Sequence, residues 1–579
     1  MTKPNKTVQH TIRHPQVNSK STSTLIKMMK LFLIVAYSSI LCHNHLSSAF
    51  VHTSITPFKS RTHLFALSSS SDDDDENTRL ATLSKNLNDA ITKCQPEFIK
   101  TCKVQVSPSP NNHRLGLTAT ETIKKGDVVL AIPYDEQMIL TPELSLKIFN
   151  GILPDGYDGW TGDNGLLAML VLNELAKTSS KGISLPIRKT EVTTLMNAWV
   201  ASLPNPDEMS HLHPILWKED DQEVLQSSST KKIYRLLDDI DEDSNWLNER
   251  VWSLDRERFP EKVILNNIEY PCFTQEGFAW AIAVVTSRSQ FVDGTSRIIP
   301  IMDMANHDDL GVEEVKGGFM GTFGTTKGVE MRAGKVREYK NGEEVFISYG
   351  PKSAAEYCFD HGFVPKKLTA MTTSVAELSF EVDPEDRFYD DKLDILEFET
   401  YDSAPMEPSQ SFDLVSEVGR DGEPDPAMIQ FLRLAKLGAK DAFLLESVFR
   451  KDVWGFMSLP VSEVNERDVL NTIANSCTTA LNDMEGLNVD NIGEMDEATP
   501  LGLCNIIRKS ETKALSRTLE YINRETEALD LKEYYQERRL KDLGLDSEWN
   551  PDDSSSMYAD DDDDQLGYGQ VRKPGSLDW

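Results

Sequence analysis

The first 71 residues contain eight Lys/Arg (Lys3, Lys6, Arg13, Lys20, Lys27, Lys30, Lys59, Arg61) and no Asp or Glu, in a chain of 579 residues that carries 60 Lys+Arg against 93 Asp+Glu. The net charge of −33 is therefore a leader of +8 followed by 52 basic and 93 acidic residues, net −41. A basic, Ser/Thr-rich, acid-free opening has the composition of a targeting segment and not of a packed domain. Within it, Lys27-Met28-Met29-Lys30 precedes an apolar run, Leu31–Cys42, and small residues Ser47-Ser48-Ala49 follow. That is the order of a signal peptide, and Met28 or Met29 would give its basic region the usual length. Phe50 and a second basic, acid-free stretch to Ser71 come next. Signal peptide, aromatic residue and transit-like stretch resemble the two-part presequence of algae with secondary plastids. The expectation is delivery to the plastid (chloroplast) stroma, with a secreted or cytoplasmic protein as the alternative.

Charge and length also bound the function. A chain this acidic is not a general nucleic-acid binder, because polyanions seek basic surfaces. The apolar run Leu31–Cys42 has 12 residues, short of the ~20 that span a bilayer, so no membrane span is expected. Seven cysteines without a repeated Cys-x-x-Cys argue against a disulfide scaffold and a structural zinc site. The acidic runs Asp72–Glu76 and Asp560–Asp564 are expected to stay solvated and disordered, since like charges repel.

Between about 85 and 545 the hydrophobic pattern changes character. Val104–Val106, Asp127–Ile132, Ile298–Met302 and Glu344–Ser348 read as short strands. Ala376, Leu378, Phe380 and Val382 alternate as an edge strand would. Asn164–Lys177, Lys231–Asp241, Met428–Lys436 and Leu503–Leu529 read as helices, the last with Leu515, Leu519 and Ile522 on one face. Thr274 is a plausible N-cap for a helix to about Arg288. The result is an α+β chain, strand-rich first and mainly helical after about 366.

Familiar catalytic signatures are missing: no P-loop, no His-Glu-x-x-His, no Gly-x-Ser-x-Gly and no dinucleotide fingerprint. His211 and His213 form a lone pair, for which a surface or cap role outweighs metal binding. What remains is an ordered set: Leu115-Gly116-Leu117, Thr286-Ser287-Arg288-Ser289, Pro300-x-x-Asp303-x-x-Asn306-His307, Ile347-Ser348-Tyr349-Gly350 and His361-Gly362-Phe363. Each alone has a structural explanation, such as a turn at Asn306 or a helix cap at Arg288. Their order and spacing point to a site.

This set resembles the SET-domain protein methyltransferases, in the branch of the Rubisco large-subunit lysine methyltransferases and the actin-histidine methyltransferase. "VVTSRSQF", "RIIPIMDMANHDD" and "EEVFISYGPKSAAEYCFDHGFVP" carry the likeness, with "LGLTATETIKKGDVVLAIP" at the front. After the presequence at 1–71 and an acidic linker at 72–95, both read from charge, the resemblance implies a catalytic SET domain at 96–366 with a helical insertion at about 165–270. A helical substrate-binding domain at 367–545 and a disordered tail at 546–579 would follow. It implies S-adenosylmethionine as cofactor, no metal, and a monomer that methylates lysine in a protein such as Rubisco large subunit or plastid aldolase. A histidine acceptor, or a SET-fold binding protein without turnover, remains open. By resemblance Tyr349 would be catalytic, and Arg288, Asp303, Asn306, His307, Leu115, Gly116, Gly362 and Phe363 would bind the cofactor. Arg288 would take its carboxylate, and the segments around 306 and 349 would thread past one another. The family's front loop reads Glu-Gly-x-Gly-Leu. Here it is His113-Arg114-Leu115-Gly116-Leu117, with Arg114 where a glycine is usual.

Overall fold

The protein is described by a computed structural model over residues 72–545, apart from residues 110–113, 155, 158, 184–187, 219–224, 226–229, 309–313, 320–326, 335–336, 366–371, 399–404, 418 and 486–498. The presequence 1–71, His113, the run Asp560–Asp564 and the tail 546–579 lie outside the described residues.

Residues 72–95 are not a linker. A helix runs over Asp72–Cys94 and buries Leu80, Leu83, Leu87, Ala90 and Ile91. It packs on the strand Val104–Pro108 and the helix Thr190–Ser202, and Ser84 and Asn88 bond the Val106 carbonyl oxygen at 2.6 and 2.8 Å. The acidic run is only the first turns of this helix, where negative charge complements the dipole. The apolar repeat behind it outweighs the charge repulsion.

Short strands follow: β1 (Thr101–Cys102), β2 (Val104–Pro108), β3 (Leu115–Ala119) and β4 (Val128–Pro133). The remaining strands of this half are the hairpins β5 (Lys262–Leu265)–β6 (Ile268–Pro271) and β7 (Gln290–Val292)–β8 (Thr295–Arg297), then β9 (Glu314–Phe319), β10 (Lys327–Arg332) and β11 (Glu344–Val345). They assemble into small sheets ordered β1-β4-β10-β9 and β11-β3-β2. The helices Asp163–Thr178, Thr190–Ser202 and Thr230–Arg250 lie between β4 and β5 in the chain. The helix Gln275–Arg288 is the centre of this half. The Thr274 side chain caps it by accepting from the Gly277 N–H, and Phe278, Trp280, Ala281, Ile282, Ala283, Val284 and Val285 are all buried. A helix apolar on every side must be enclosed, and here it packs against Asp163–Thr178.

Three expected strands differ in the structure. Ile298–Met302 is not a strand. Ile298 makes a single bridge to Leu140, the chain turns at Pro300, and a 3-10 turn covers Met302–Met304. Ile301 takes φ 82°, a strained value for a β-branched residue. Glu344–Ser348 is shorter, because only Glu344–Val345 pairs with β3 and Ile347 turns to a different partner. Ala376–Phe380 lies in β13 (Thr372–Glu381), a longer strand than expected, with Val382 just beyond it. Only Thr372–Thr373 pair with β12 (Lys352–Ser353), so the alternating stretch has β14 (Ser409–Glu417) as its one strand neighbour among the described residues, with β15 (Arg420–Asp421) beyond β14.

Two hydrophobic cores result. One gathers apolar residues from Leu80 to Val364, and the other those from Ala376 to Leu529. The second holds β13, β14 and the helices Pro426–Ala435 and Glu463–Glu485, joined by a buried Arg433–Glu466 pair with contacts at 2.5 and 3.0 Å. The helix Pro500–Glu527 belongs to both. Leu503, Cys504 and Ile507 enter the first core, whereas Ala514, Leu515 and Ile522 enter the second.

Leu87 tests the reassigned helix, because its side chain is 1% exposed. Leu87→Ala is expected to lower stability by about 2–4 kcal/mol, measured by urea unfolding. An unpacked linker would show no change.

Candidate active site

The site is built where two distant segments lie side by side. His307 and Ile347 form a parallel bridge. The Ile347 N–H donates to the Asn306 carbonyl at 2.9 Å, and the Asp308 N–H donates to the Ile347 carbonyl at 3.2 Å. This pattern turns the N–H and C=O of His307 to the side opposite Ile347. It also places Tyr349 against His307: the Tyr349 N–H donates to His307 Nδ1 at 3.2 Å, which leaves the imidazole proton on Nε2.

Tyr349 is partly buried in an aromatic group. Its ring centroid is 4.4 Å from His361, 5.0 Å from His307 and 6.3 Å from Phe363. Its hydroxyl donates to the Ala305 carbonyl at 3.0 Å, so the hydroxyl lone pairs remain to accept. Burial pushes the phenol up to about 12, against the pull of Arg288 and Arg114. Tyr349 is thus a neutral phenol at physiological pH. The helix Ala354–His361 holds this group from behind. It opens on a capping box of Ser353 and Glu356 and closes on Gly362 at φ 72°.

Arg288 ends the central helix. Its Nη1 contacts Asp303 Oδ2 at 3.1 Å and the Asp303 carbonyl at 3.3 Å. The other partner of Asp303 Oδ2 is Trp199 Nε1 at 2.8 Å. Asp303 was expected at the cofactor, but its side chain is wholly enclosed behind Arg288. It fixes the guanidinium and presents no oxygen outward. Burial raises its carboxyl above the ordinary range, opposed by Arg288 and the Trp199 N–H.

The front strand meets this group at Gly116. Asn306 Nδ2 donates to Glu344 Oε1 at 2.7 Å and lies 3.5 Å from the Leu115 carbonyl. A Cβ on Gly116 would stand 2.5 Å from Glu344 Oε1 and 2.8 Å from Asn306 Nδ2. Glycine is required here for close approach, not for its dihedral freedom. Arg114 is not among the described residues with positive φ, so its own backbone does not call for glycine. Its guanidinium feels burial first, then the like charge of Arg288, and then Tyr349 and Glu208, with a net downward shift.

The structure therefore gathers Leu115, Gly116, Arg288, Asn306, His307, Tyr349 and Phe363. Gly362 serves as helix cap, and its missing Cβ lets the chain pass the Leu212 carbonyl, 2.7 Å from where a Cβ would stand. Sequence reasoning missed Trp199, Glu344 and the role of His361. His361 Nδ1 faces the Ser287 carbonyl at 3.4 Å and must donate. Its buried Nε2 has no partner, and burial pushes it down to about 3. His213 is a buried cap: its Nδ1 faces the Ile215 N–H at 3.5 Å and its Nε2 faces Thr286 Oγ1 at 3.2 Å. Burial lowers it to about 4. His211 is exposed. Among the described residues no group of three or more His, Cys, Asp or Glu could hold a metal ion, and no helix is long and apolar enough to cross a membrane.

Small sheets around a parallel crossing, with a tyrosine at its end and an arginine behind it, form a SET-type fold. Residues 383–485 match the family model for Rubisco LSMT substrate-binding domains. The chloroplastic Rubisco large-subunit N-methyltransferase of Nicotiana tabacum is 29% identical over 462 residues, covering 78% of this chain and 84% of that protein. The aldolase-lysine N-methyltransferase of Arabidopsis thaliana is 28% identical over 446 residues, covering 74% and 82%. Actin-histidine N-methyltransferase of Xenopus tropicalis is 23% identical over 287 residues, covering 46% and 43%. A crystal structure of the LSMT SET domain bound to lysine and AdoHcy superposes with TM-score 0.63 at 26% identity, covering 82% of this chain and 99% of that one. Along most of its length the chain is thus similar to Rubisco large-subunit and aldolase-lysine methyltransferases, and over a shorter stretch to the actin-histidine enzyme.

Two tests follow from this geometry. Gly116→Ala is expected to abolish measurable cofactor binding in calorimetry while lowering stability by only about 1–3 kcal/mol, the usual range for overpacking. Acid is the second. His213 and His361 are held unprotonated when folded but take up a proton near pH 6.5 when unfolded. Their contribution is complete above pH ~6.5 and is lost as pH falls towards about 4 for His213 and about 3 for His361, on the order of 3 kcal/mol for His213. Melting temperature should drop across that window, and His213→Asn should flatten the slope.

Proposed function

We propose that this chain is an S-adenosylmethionine-dependent protein-lysine N-methyltransferase acting as a monomer in the plastid. The observation that carries the reading is the Tyr349 hydroxyl, bonded to the Ala305 carbonyl at 3.0 Å, at the end of the parallel crossing that also positions Asn306 and His307. The donor set fits a zwitterionic amino-acid group: Arg288 for a carboxylate, Asn306 beside Glu344 for an ammonium, and the outward-turned backbone of His307. The cleft over Gly116 is narrow enough that a single Cβ would meet its walls. When bound, S-adenosylmethionine supplies an electrophilic methyl on a sulfonium sulfur.

The chain's own residues account for the rest. Arg288, held by Asp303 and Trp199, fixes the cofactor end. Tyr349 and Phe363 line an apolar passage for the acceptor, and the phenol oxygen orients the amine by accepting from its N–H. Holding both partners in line supplies much of the rate. A free lysine has pKa ≈ 10.4. Tyr349, raised to about 12, and His361, lowered to about 3, are both unsuited to remove its proton. Instead, two nearby guanidiniums, Arg114 and Arg288, and aromatic walls disfavour the ammonium, so the amine docks neutral.

Support for lysine comes from relatives. Those matched over four-fifths of their own length are named as a Rubisco large-subunit N-methyltransferase and an aldolase-lysine N-methyltransferase, and the LSMT SET domain binds lysine, while the histidine enzyme matches over 43% of its length. The likeness to chloroplastic enzymes supports a plastid address, and the stroma via signal and transit peptides follows from the leader. Residues 96–366 would carry catalysis, braced by the helix before them, and 367–545 would bind the protein substrate.

Mature protein incubated with labelled S-adenosylmethionine and Rubisco large subunit or plastid aldolase should transfer label to lysine, located by mass spectrometry. Tyr349→Phe should lower kcat by about 10²–10⁴-fold, the range for a lost positioned transition-state contact, with cofactor binding intact. Label on histidine would move the assignment to the second acceptor. No transfer and no cofactor binding would overturn the enzyme.

A further inference from the structure

Glu344 stands beside Asn306 in the reading above, yet what its charge does there is unassigned, and it is the only charged side chain bonded to Asn306 among the described contacts. It projects from β11 across the bare face of Gly116. One carboxylate oxygen accepts from Asn306 Nδ2 at 2.7 Å and the other from Ser109 Oγ at 2.9 Å. Ser109 is buried and lies where β2 leaves towards the front loop. β11 is itself fixed against β3, with Glu344 opposite Thr118 and Val345 opposite Leu117.

This arrangement has a chemical consequence for Asn306. A carboxylate only accepts, so the amide nitrogen must face Glu344. Its second hydrogen is directed to the Leu115 carbonyl at 3.5 Å. The amide oxygen is then turned away from Glu344, with a full negative charge directly behind the amide. Such an amide is polarised as an acceptor, and the charge favours a cation in front of it.

We propose that Glu344 is a positioning and charge-determining residue for the ammonium of the cofactor's amino-acid end, acting through Asn306. Arg288 and Glu344 then form opposite poles of one amino-acid subsite: the guanidinium reads carboxylate, and the Glu344–Asn306 pair reads ammonium. The assignment rests on the cofactor reading given above. Gly116 joins the two halves, because only a residue without Cβ lets Glu344 reach Asn306 across β3.

The test compares wild type, Glu344→Gln and Glu344→Ala by calorimetry, with S-adenosylhomocysteine and with its analogue lacking the α-amine. Glutamine can keep the bond to Asn306 through its own carbonyl oxygen but removes the charge. Expected affinities for S-adenosylhomocysteine fall about tenfold in Glu344→Gln and about a hundredfold in Glu344→Ala, with melting temperatures near wild type. The deaminated analogue should bind wild type and Glu344→Gln equally. Unchanged affinity for S-adenosylhomocysteine in both variants would overturn the assignment. So would equal losses for both ligands, which would make Glu344 a scaffold residue only. Failure of wild type to bind S-adenosylhomocysteine would instead overturn the cofactor reading itself.

Discussion

Everything in the catalytic half depends on two hydrogen bonds between chain segments 40 residues apart: Ile347 N–H to the Asn306 carbonyl, and Asp308 N–H to the Ile347 carbonyl. They set the register of the crossing. A register fixed there decides which way His307 presents its backbone and where the tyrosine two residues beyond Ile347 lands. Neither segment has a long strand to hold it. Ordinary sheet pairing is limited to two residues at β11, so the crossing relies on packing from behind. That packing comes from the capped helix Ala354–His361 and from the Tyr357 hydroxyl, which bonds the Gly350 carbonyl at 3.0 Å.

Electrostatics adds a second layer. Enclosing a carboxylate is costly unless it is paired and hydrogen-bonded. Asp303 meets both conditions through Arg288 and Trp199. The outcome is an arginine with one fixed direction and little conformational freedom left to lose on binding. By contrast, burial keeps His213 and His361 neutral.

Much of the site was legible because short motifs name their own chemistry. Asn306-His307, Tyr349-Gly350 and Arg288 at a helix end were visible as residues, and Thr274 as an N-cap. What the sequence obscured has physical causes. The helix over Asp72–Cys94 begins in five consecutive acids, and that run masked the leucine repeat behind it. Ile298–Met302 is apolar enough for a strand, yet Pro300 and the positive φ of Ile301 bend it into a turn. Asp303 sits in the motif beside Asn306 and His307, but only the fold shows that its carboxylate faces inward to Trp199, 104 positions earlier in the chain. Glu344 lay inside a quoted motif, and its link to Asn306 depends on Gly116, which no local pattern connects to it.

The pairing of β3 with β11 also governs when the site exists. Glu344 lies opposite Thr118, 226 residues later in the chain, with the whole helical insertion between them. Closing so long a loop adds little free energy, since the entropy cost grows only with the logarithm of length. It does slow the search, because folding rates fall as contacts become less local. Helices such as Gln275–Arg288 can form early from neighbouring residues. The cleft over Gly116 cannot form until the chain has been made past Tyr349 and folded back onto its beginning. Competence to bind a cofactor therefore waits on this long-range pairing. A partly synthesised chain would possess much of its first core and no cleft in which to bind a cofactor.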